Sequence, residues 1–164
     1  MRTFRAIPIA FLFAASCLLA ACASAPPKPQ PVNVKLNVVV SADVNPDAQN
    51  RPSPVVVRIF QLKDDGPFKD SDFFALYDKE EATLAASLVS RVEYELAPGE
   101  TRSVDYSVSP DARFIGVIAA YRNIRDAQWR TLAGPAEKGA FDVVKSGKLG
   151  LAVDRARVHF AAAK

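Results

Sequence analysis

The sequence predicts an all-β protein: a two-sheet β-sandwich of about eight short strands with one small helical insertion. A signal peptide and a proline-rich tether precede it. Three observations carry this reading. Apolar residues alternate with polar ones in short runs from Val32 onward, with turn residues between them at regular spacing. One segment, Phe73, Leu76 and Tyr77, switches to the i, i+3, i+4 spacing of a helix. Strand-like and helix-like runs do not otherwise alternate, which argues against a parallel sheet layered by helices.

Residues 1–21 are excluded from the fold. Arg2 and Arg5 make a short basic start, and Ala6–Ala21 is almost unbroken apolar sequence, too short to span a bilayer comfortably. The order is that of a secretory signal. Leu19-Ala20-Ala21-Cys22 resembles the bacterial lipobox, in which small residues fit the lipoprotein signal peptidase and the cysteine thiol is acylated. Cys17 leaves with the signal, so Cys22 is the one cysteine expected in the mature chain and no internal disulfide can form. Each buried lipid methylene contributes about 0.8 kcal/mol, so a multiply acylated Cys22 holds a protein at a membrane without a transmembrane helix. Ala23 follows, rather than the aspartate that retains lipoproteins in the inner membrane. The expected location is therefore the outer membrane, facing the periplasm. Loss of Arg2 and Arg5 brings the formal charge from +3 to +1, and no basic stripe with interleaved aromatics suggests nucleic acid.

Residues 22–31 hold the lipidated cysteine and the tether "ASAPPKPQP". Polyproline II geometry, at about 3.1 Å per residue, lets it lift a domain some 30 Å off the lipid. Residues 32–164 are read as one β-sandwich domain. Val32, Val34, Leu36, Val38 and Val40 share one face of the first strand. In the second, Val55, Val57 and Ile59 oppose Val56, Arg58, Phe60 and Leu62, so both faces are expected to be largely covered. Between the two lies "VNPDAQNRPSP", where a two-residue turn would close the hairpin at lower entropic cost.

Asp64-Asp65-Gly66-Pro67 reads as punctuation. A short helix follows behind Ser71 or Asp72 as N-cap, with a second helical piece over Lys79–Leu84, the pair set against an edge or end of a sheet. Strands resume at Val92-Tyr94-Leu96, and Pro98 and Gly99 are placed for a type II turn into Val104-Tyr106-Val108. Phe114–Tyr121 is apolar on both faces and marks a central strand, where Gly116 admits a close neighbour. Trp129-Arg130 belongs to a shorter strand, and Phe141–Val144, Lys148–Asp154 and Arg157–Ala161 supply one or two more.

Catalytic groupings are missing from this pattern. His159 is the only histidine and alternates with Val158 and Phe160 as a strand residue. Without a second histidine or a usable cysteine, a zinc site has no ligand set. "DVNPD" lacks the spaced acids and terminal glutamate of an EF-hand loop, and Asp64-Asp65 and Glu80-Glu81 read as solvated charge. No phosphate loop or Ser-His-Asp set is present. Phe68, Phe73, Phe74, Tyr77 and Trp129 are read as packing residues. The expectation is a non-enzyme with no metal, no cofactor beyond the lipid on Cys22, and no small-molecule substrate.

The ordered motifs "RPSPVVVRIFQLK", "FKDSDFFALY", Leu84 and Leu88, "LAPGE", "FIGVIAAYRN" and "QWR" together resemble the TssJ (SciN) family, over roughly Val32 to Arg130. These are outer-membrane lipoproteins of the bacterial type VI secretion system. Leu84-Ala85-Ala86 departs from the family by lacking a glycine. The resemblance implies a transthyretin-like sandwich with a structural role. It would anchor a trans-envelope TssJ-TssL-TssM complex by binding the periplasmic C-terminal region of TssM. It also implies that the loop between the first two strands takes part, here Asn45, Pro46, Asp47, Ala48, Gln49, Asn50, Arg51, Pro52 and Ser53. The prolines restrict that loop's backbone and lower the entropy lost on docking. The alternative reading is a periplasm-facing sandwich lipoprotein that binds a small ligand or glycan, which would need a concave pocket.

Overall fold

Residues 29–134 and 147–162 are described in a computed structural model. Their strands are β1 (Val32–Val40), β2 (Val55–Leu62), β3 (Leu88–Leu96), β4 (Thr101–Val108), β5 (Phe114–Ala119), β6 (Arg130–Ala133), β7 (Lys148–Val153) and β8 (Val158–Ala161). They form two four-stranded sheets, ordered β4-β1-β7-β8 and β3-β2-β5-β6. Residues 1–28, including Cys22 and most of the tether, and the expected strand at Phe141–Val144 lie outside the described residues.

Period-two patterning accounts for the first sheet. Val34, Leu36, Val38 and Val40 of β1 are buried while Lys35 and Val39 face solvent. Val32, at the free end of the strand, is 47% exposed and contributes nothing to the core. β1 runs antiparallel to β4 and parallel to β7, so its inward residues meet side chains from the facing sheet across one apolar layer. That layer joins Leu36, Val57, Ile59, Val117, Leu151 and Val153, among others.

The second sheet is apolar on both faces. Val55, Val57 and Ile59 of β2 point into the sandwich, whereas Phe60 and Leu62 point outward. The helical insertion covers that outer face, not an edge or end of the sheet as the sequence suggested. It comprises α1 (Gly66–Asp70), α2 (Phe73–Asp78), α3 (Glu80–Leu84) and a 3-10 turn at Ala85–Ser87. Phe68, Phe73, Leu76 and Leu84 pack there against Phe60, Leu62 and Ile118. α1 begins where the sequence reads as punctuation, because Pro67 occupies the first turn, where no backbone N–H is required. Asp72 is the N-cap of α2, accepting from the Ala75 N–H at 2.8 Å. Ser71 donates its hydroxyl instead to the Pro67 carbonyl at 2.6 Å.

Gly116 decides how closely this layer sits. A methyl group there would lie 2.8 Å from the Phe68 ring, inside van der Waals contact, so only glycine lets the phenyl group rest on β5. Polar bonds then fix the layer laterally. Arg58, on the outer face of β2, ion-pairs with Glu80 at 3.0 Å and with Glu93, donates to the Tyr77 carbonyl, and stacks 4.0 Å above the Tyr77 ring. Arg91 bridges the same two glutamates.

Three further details bear on the sequence reading. Gly99 has φ +76° and the Glu100 N–H donates to the Ala97 carbonyl at 3.1 Å, the expected type II turn. Trp129 is half-buried, touching both apolar clusters with its ring edge-on to Phe73 at 5.4 Å, so it is a boundary residue, not a core one. Phe74 is 61% exposed and stays outside the buried cluster, its ring meeting Phe73 edge-on at 5.4 Å.

Ala85, in the middle of Leu84-Ala85-Ala86, has φ +43° and ψ −123°. That combination suits glycine and strains an L side chain by about 1–3 kcal/mol. Ala85→Gly should therefore stabilise the domain by about 1 kcal/mol, net of glycine's greater unfolded-state entropy. Urea unfolding measures this, and a lower midpoint than wild type would show that the strain is absent.

Candidate functional site

The long β1–β2 connection is a folded unit. Val44 is fully buried and its carbonyl accepts from the Ser53 N–H at 3.1 Å, so the two ends of the loop meet. Asn45 comes next with φ +47°, a left-handed backbone that asparagine tolerates better than most residues. Its side chain is buried. The amide donates to the Pro54 carbonyl at 2.6 Å, and its oxygen accepts from the Arg122 N–H at 2.7 Å. The Asn45 N–H donates to the Arg155 carbonyl at 3.0 Å. One residue thus ties the β1–β2 loop to the β5–β6 and β7–β8 loops.

Asp47 organises the tip. Its carboxylate accepts from the Gln49 and Arg51 N–H groups, both at 2.9 Å, and from the Arg51 guanidinium at 2.8 Å. The backbone N–H of Arg51 chiefly holds this carboxyl below its ordinary pKa; partial desolvation opposes the shift and the Arg51 guanidinium supports it. A depressed carboxylate pKa stabilises the fold above the ordinary carboxylate range. That contribution is lost as pH falls through the lowered value. Asn50, at φ +61°, accepts at its side-chain oxygen from Arg155 at 2.8 Å, fastening the tip to the β7–β8 loop.

The nine loop residues named by the sequence therefore separate by role. Asn45 and Ser53 are buried and hold the loop, and Pro46 and Asp47 are half-buried. Ala48, Gln49, Asn50, Arg51 and Pro52 are exposed. Sequence reading passed over Arg122 and Arg155, the cross-loop partners, which lie 77 and 105 residues from their contacts. No local spacing signals such pairs.

Between the three loops is an open cleft of about 570 Å³ lined by Asn45, Asp47, Tyr121, Arg122, Asp126 and Arg155, among others. Burial pushes the Tyr121 phenol well above its ordinary pKa, and its hydroxyl donates to the Asp154 carbonyl at 3.2 Å. The phenol is thus a neutral structural donor at working pH. His159 lies 3.4 Å from Asp154 and accepts from Arg157 at 3.3 Å. Among the described residues no group of three or more His, Cys, Asp or Glu side chains is arranged for a metal ion. Nor is any helix among them long and apolar enough to cross a membrane. The arrangement suits recognition by a rigid surface.

Asn45→Ala should cost about 2–3 kcal/mol, because it removes two partly buried hydrogen bonds, strands the Arg122 N–H and leaves alanine at positive φ. Asn45→Gly, which tolerates that φ, should cost less. Equal losses for the two in urea unfolding would show that backbone strain plays no part.

A family model described as the type VI secretion lipoproteins VasD, EvfM and TssJ (T6SS-SciN) matches residues 32–156. Among solved structures, the lipoprotein TssJ1 of the Pseudomonas aeruginosa type VI secretion system is 27% identical with a TM-score of 0.69. That alignment covers 82% of this chain and 98% of that one. Lip of Serratia marcescens, a membrane-bound component of the same kind of system, is 26% identical with a TM-score of 0.68, covering 79% and 96%. A chain of a type VI membrane complex is 26% identical with a TM-score of 0.69, covering 80% and 99%. Among curated proteins none matches.

Proposed function

The chain belongs to the type VI secretion lipoprotein family of TssJ and SciN, and from that premise we propose that it is a structural, non-enzymatic anchor. It ties a trans-envelope TssJ-TssL-TssM complex to the outer membrane from the periplasmic side. Lipid on Cys22 supplies the attachment, and the periplasmic C-terminal region of TssM is the partner. A relative that is a chain of a type VI membrane complex supports the assembly role, and a membrane-bound relative supports the anchor.

The observation that carries the reading is the prefolded β1–β2 loop. Its shape is set by its own hydrogen bonds before any partner arrives, so little ordering entropy opposes docking. Its position suits the role as well. The lipidated segment enters at Val32, whereas the loop leaves β1 after Val40. At about 3.3 Å per residue the strand separates these points by some 26 Å. Membrane attachment and partner contact thus occupy opposite ends of the sandwich.

Two measurements test this. Cys22→Ser should leave the domain folded but move it from the membrane fraction to the soluble periplasm; retention with outer membrane would reject the lipid anchor. Deleting Pro46–Arg51 and closing the gap with a short turn should weaken binding to the TssM C-terminal region at least about tenfold while the far-ultraviolet circular dichroism is kept. Unchanged affinity in that titration removes the loop from the interface.

A further inference from the structure

Four carboxylates at the loop end of the sandwich are engaged within the molecule. Asp43 is held by the Ser41 hydroxyl and by Arg155, and Asp47 by Arg51 and two backbone N–H groups. Asp126 accepts from the Asn123 amide at 2.7 Å, and Asp154 faces His159. The cations are not all matched. Arg122 and Arg125, both exposed on the β5–β6 loop, make no side-chain hydrogen bond or ion pair among the described residues. Arg122 acts on its surroundings only through space, helping to hold Asp47 ionised. Its backbone is nonetheless fixed, because its N–H is the one that donates to Asn45.

We propose that Arg122 and Arg125 form the charged half of the docking surface and recognise an acidic segment of the partner protein, beside the exposed tip Ala48–Pro52. The proposal rests on the docking reading above and adds the chemistry of what docks. Guanidinium groups bind carboxylates through a planar fork of donors, and this pair leaves that fork unused. A folded, multiply bonded scaffold holds the first of them in register with the tip. Lipid phosphate shares the same charge but is disfavoured by position: the arginines lie at the end of β1 remote from Val32, where the lipidated segment enters.

Titrating the soluble domain from Ser24 onward, wild type and Arg122→Glu/Arg125→Glu, tests this with three probes. These are the TssM C-terminal region, a synthetic oligoglutamate peptide, and vesicles containing phosphatidylglycerol. The expected result is a loss of at least about tenfold in affinity for the TssM region in the double variant, with Arg122→Gln/Arg125→Gln intermediate. Wild-type affinity should also fall as salt rises. A Lys35→Glu control on the outer face of β1 should bind as wild type. Equal affinity and equal salt dependence for wild type and double variant would overturn the proposal while leaving the docking reading intact. If wild type fails to bind the TssM region, that reading falls, and the peptide decides the arginine proposal alone: binding lost in the double variant supports it, and equal or absent binding rejects it. Arginine-dependent binding to the vesicles but not to the peptide would reassign the site to a membrane surface and overturn it.

Discussion

The fold depends on the seating of Phe68 over Gly116. β5 lies inside the second sheet and has apolar residues on both faces, so one of those faces would be left wet if the sandwich were all there was. Phe68 can rest against Phe60 and Ile118 because Gly116, the β5 residue paired with Phe60, offers a place without a Cβ. Once the phenyl group is there, α1 is held on the sheet and α2 and α3 follow it onto the same face. Short helices of five or six residues have little stability of their own. This layer therefore exists because the sheet is there to be covered.

The Arg58 network follows from the same packing. A guanidinium on the outer face of β2 would be exposed on an uncovered sheet. Beneath the helices its side chain is only 14% exposed, and such a charge must be paired to be tolerated. Glu80, Glu93 and the Tyr77 carbonyl meet that requirement from α3, β3 and α2. The network contributes register more than net energy, since an apolar replacement of like volume can be as stable. The first sheet needs no such device. Its outer face carries exposed polar residues that pair across β1 and β4: Lys35 with Asp105 at 2.6 Å, and the Ser103 hydroxyl donating to the Asn37 side-chain oxygen at 2.7 Å.

How much of this was legible in the sequence follows from the range of each interaction. Local periodicities gave the inward residues of β1 and β2, the helix at Phe73 and the type II turn at Pro98-Gly99, because their causes lie within a few residues. Gly116 was legible as a close approach, but not its visitor, since Phe68 lies 48 positions earlier and nothing nearby names it. The start of α1 was hidden because Gly66-Pro67 signals a turn and a first helical turn equally well. The sequence sets the helices at an edge or end of a sheet because β2's outward Phe60 and Leu62 do not by themselves identify their cover. At the candidate site, composition identified a long, polar, proline-stiffened loop. It did not distinguish Asn45, which is buried and structural, from Gln49, which is exposed.

That distinction reshapes the loop's role. Three prolines restrict the unfolded chain, but the loop's shape comes from Asn45 and Asp47, whose side chains replace the hydrogen bonds that a β-ladder would have supplied. Because Asn45 bonds the β5–β6 loop and, through its N–H, the β7–β8 loop, the three loops behave as one surface. A change at the tip is then felt at Arg122 and Arg155, and a change in either of those loops is felt at the tip. The extra residues between β1 and β2 are thus not slack in a hairpin. They carry one strand connection to the β5–β6 and β7–β8 loops at its end of the sandwich and still leave five residues exposed.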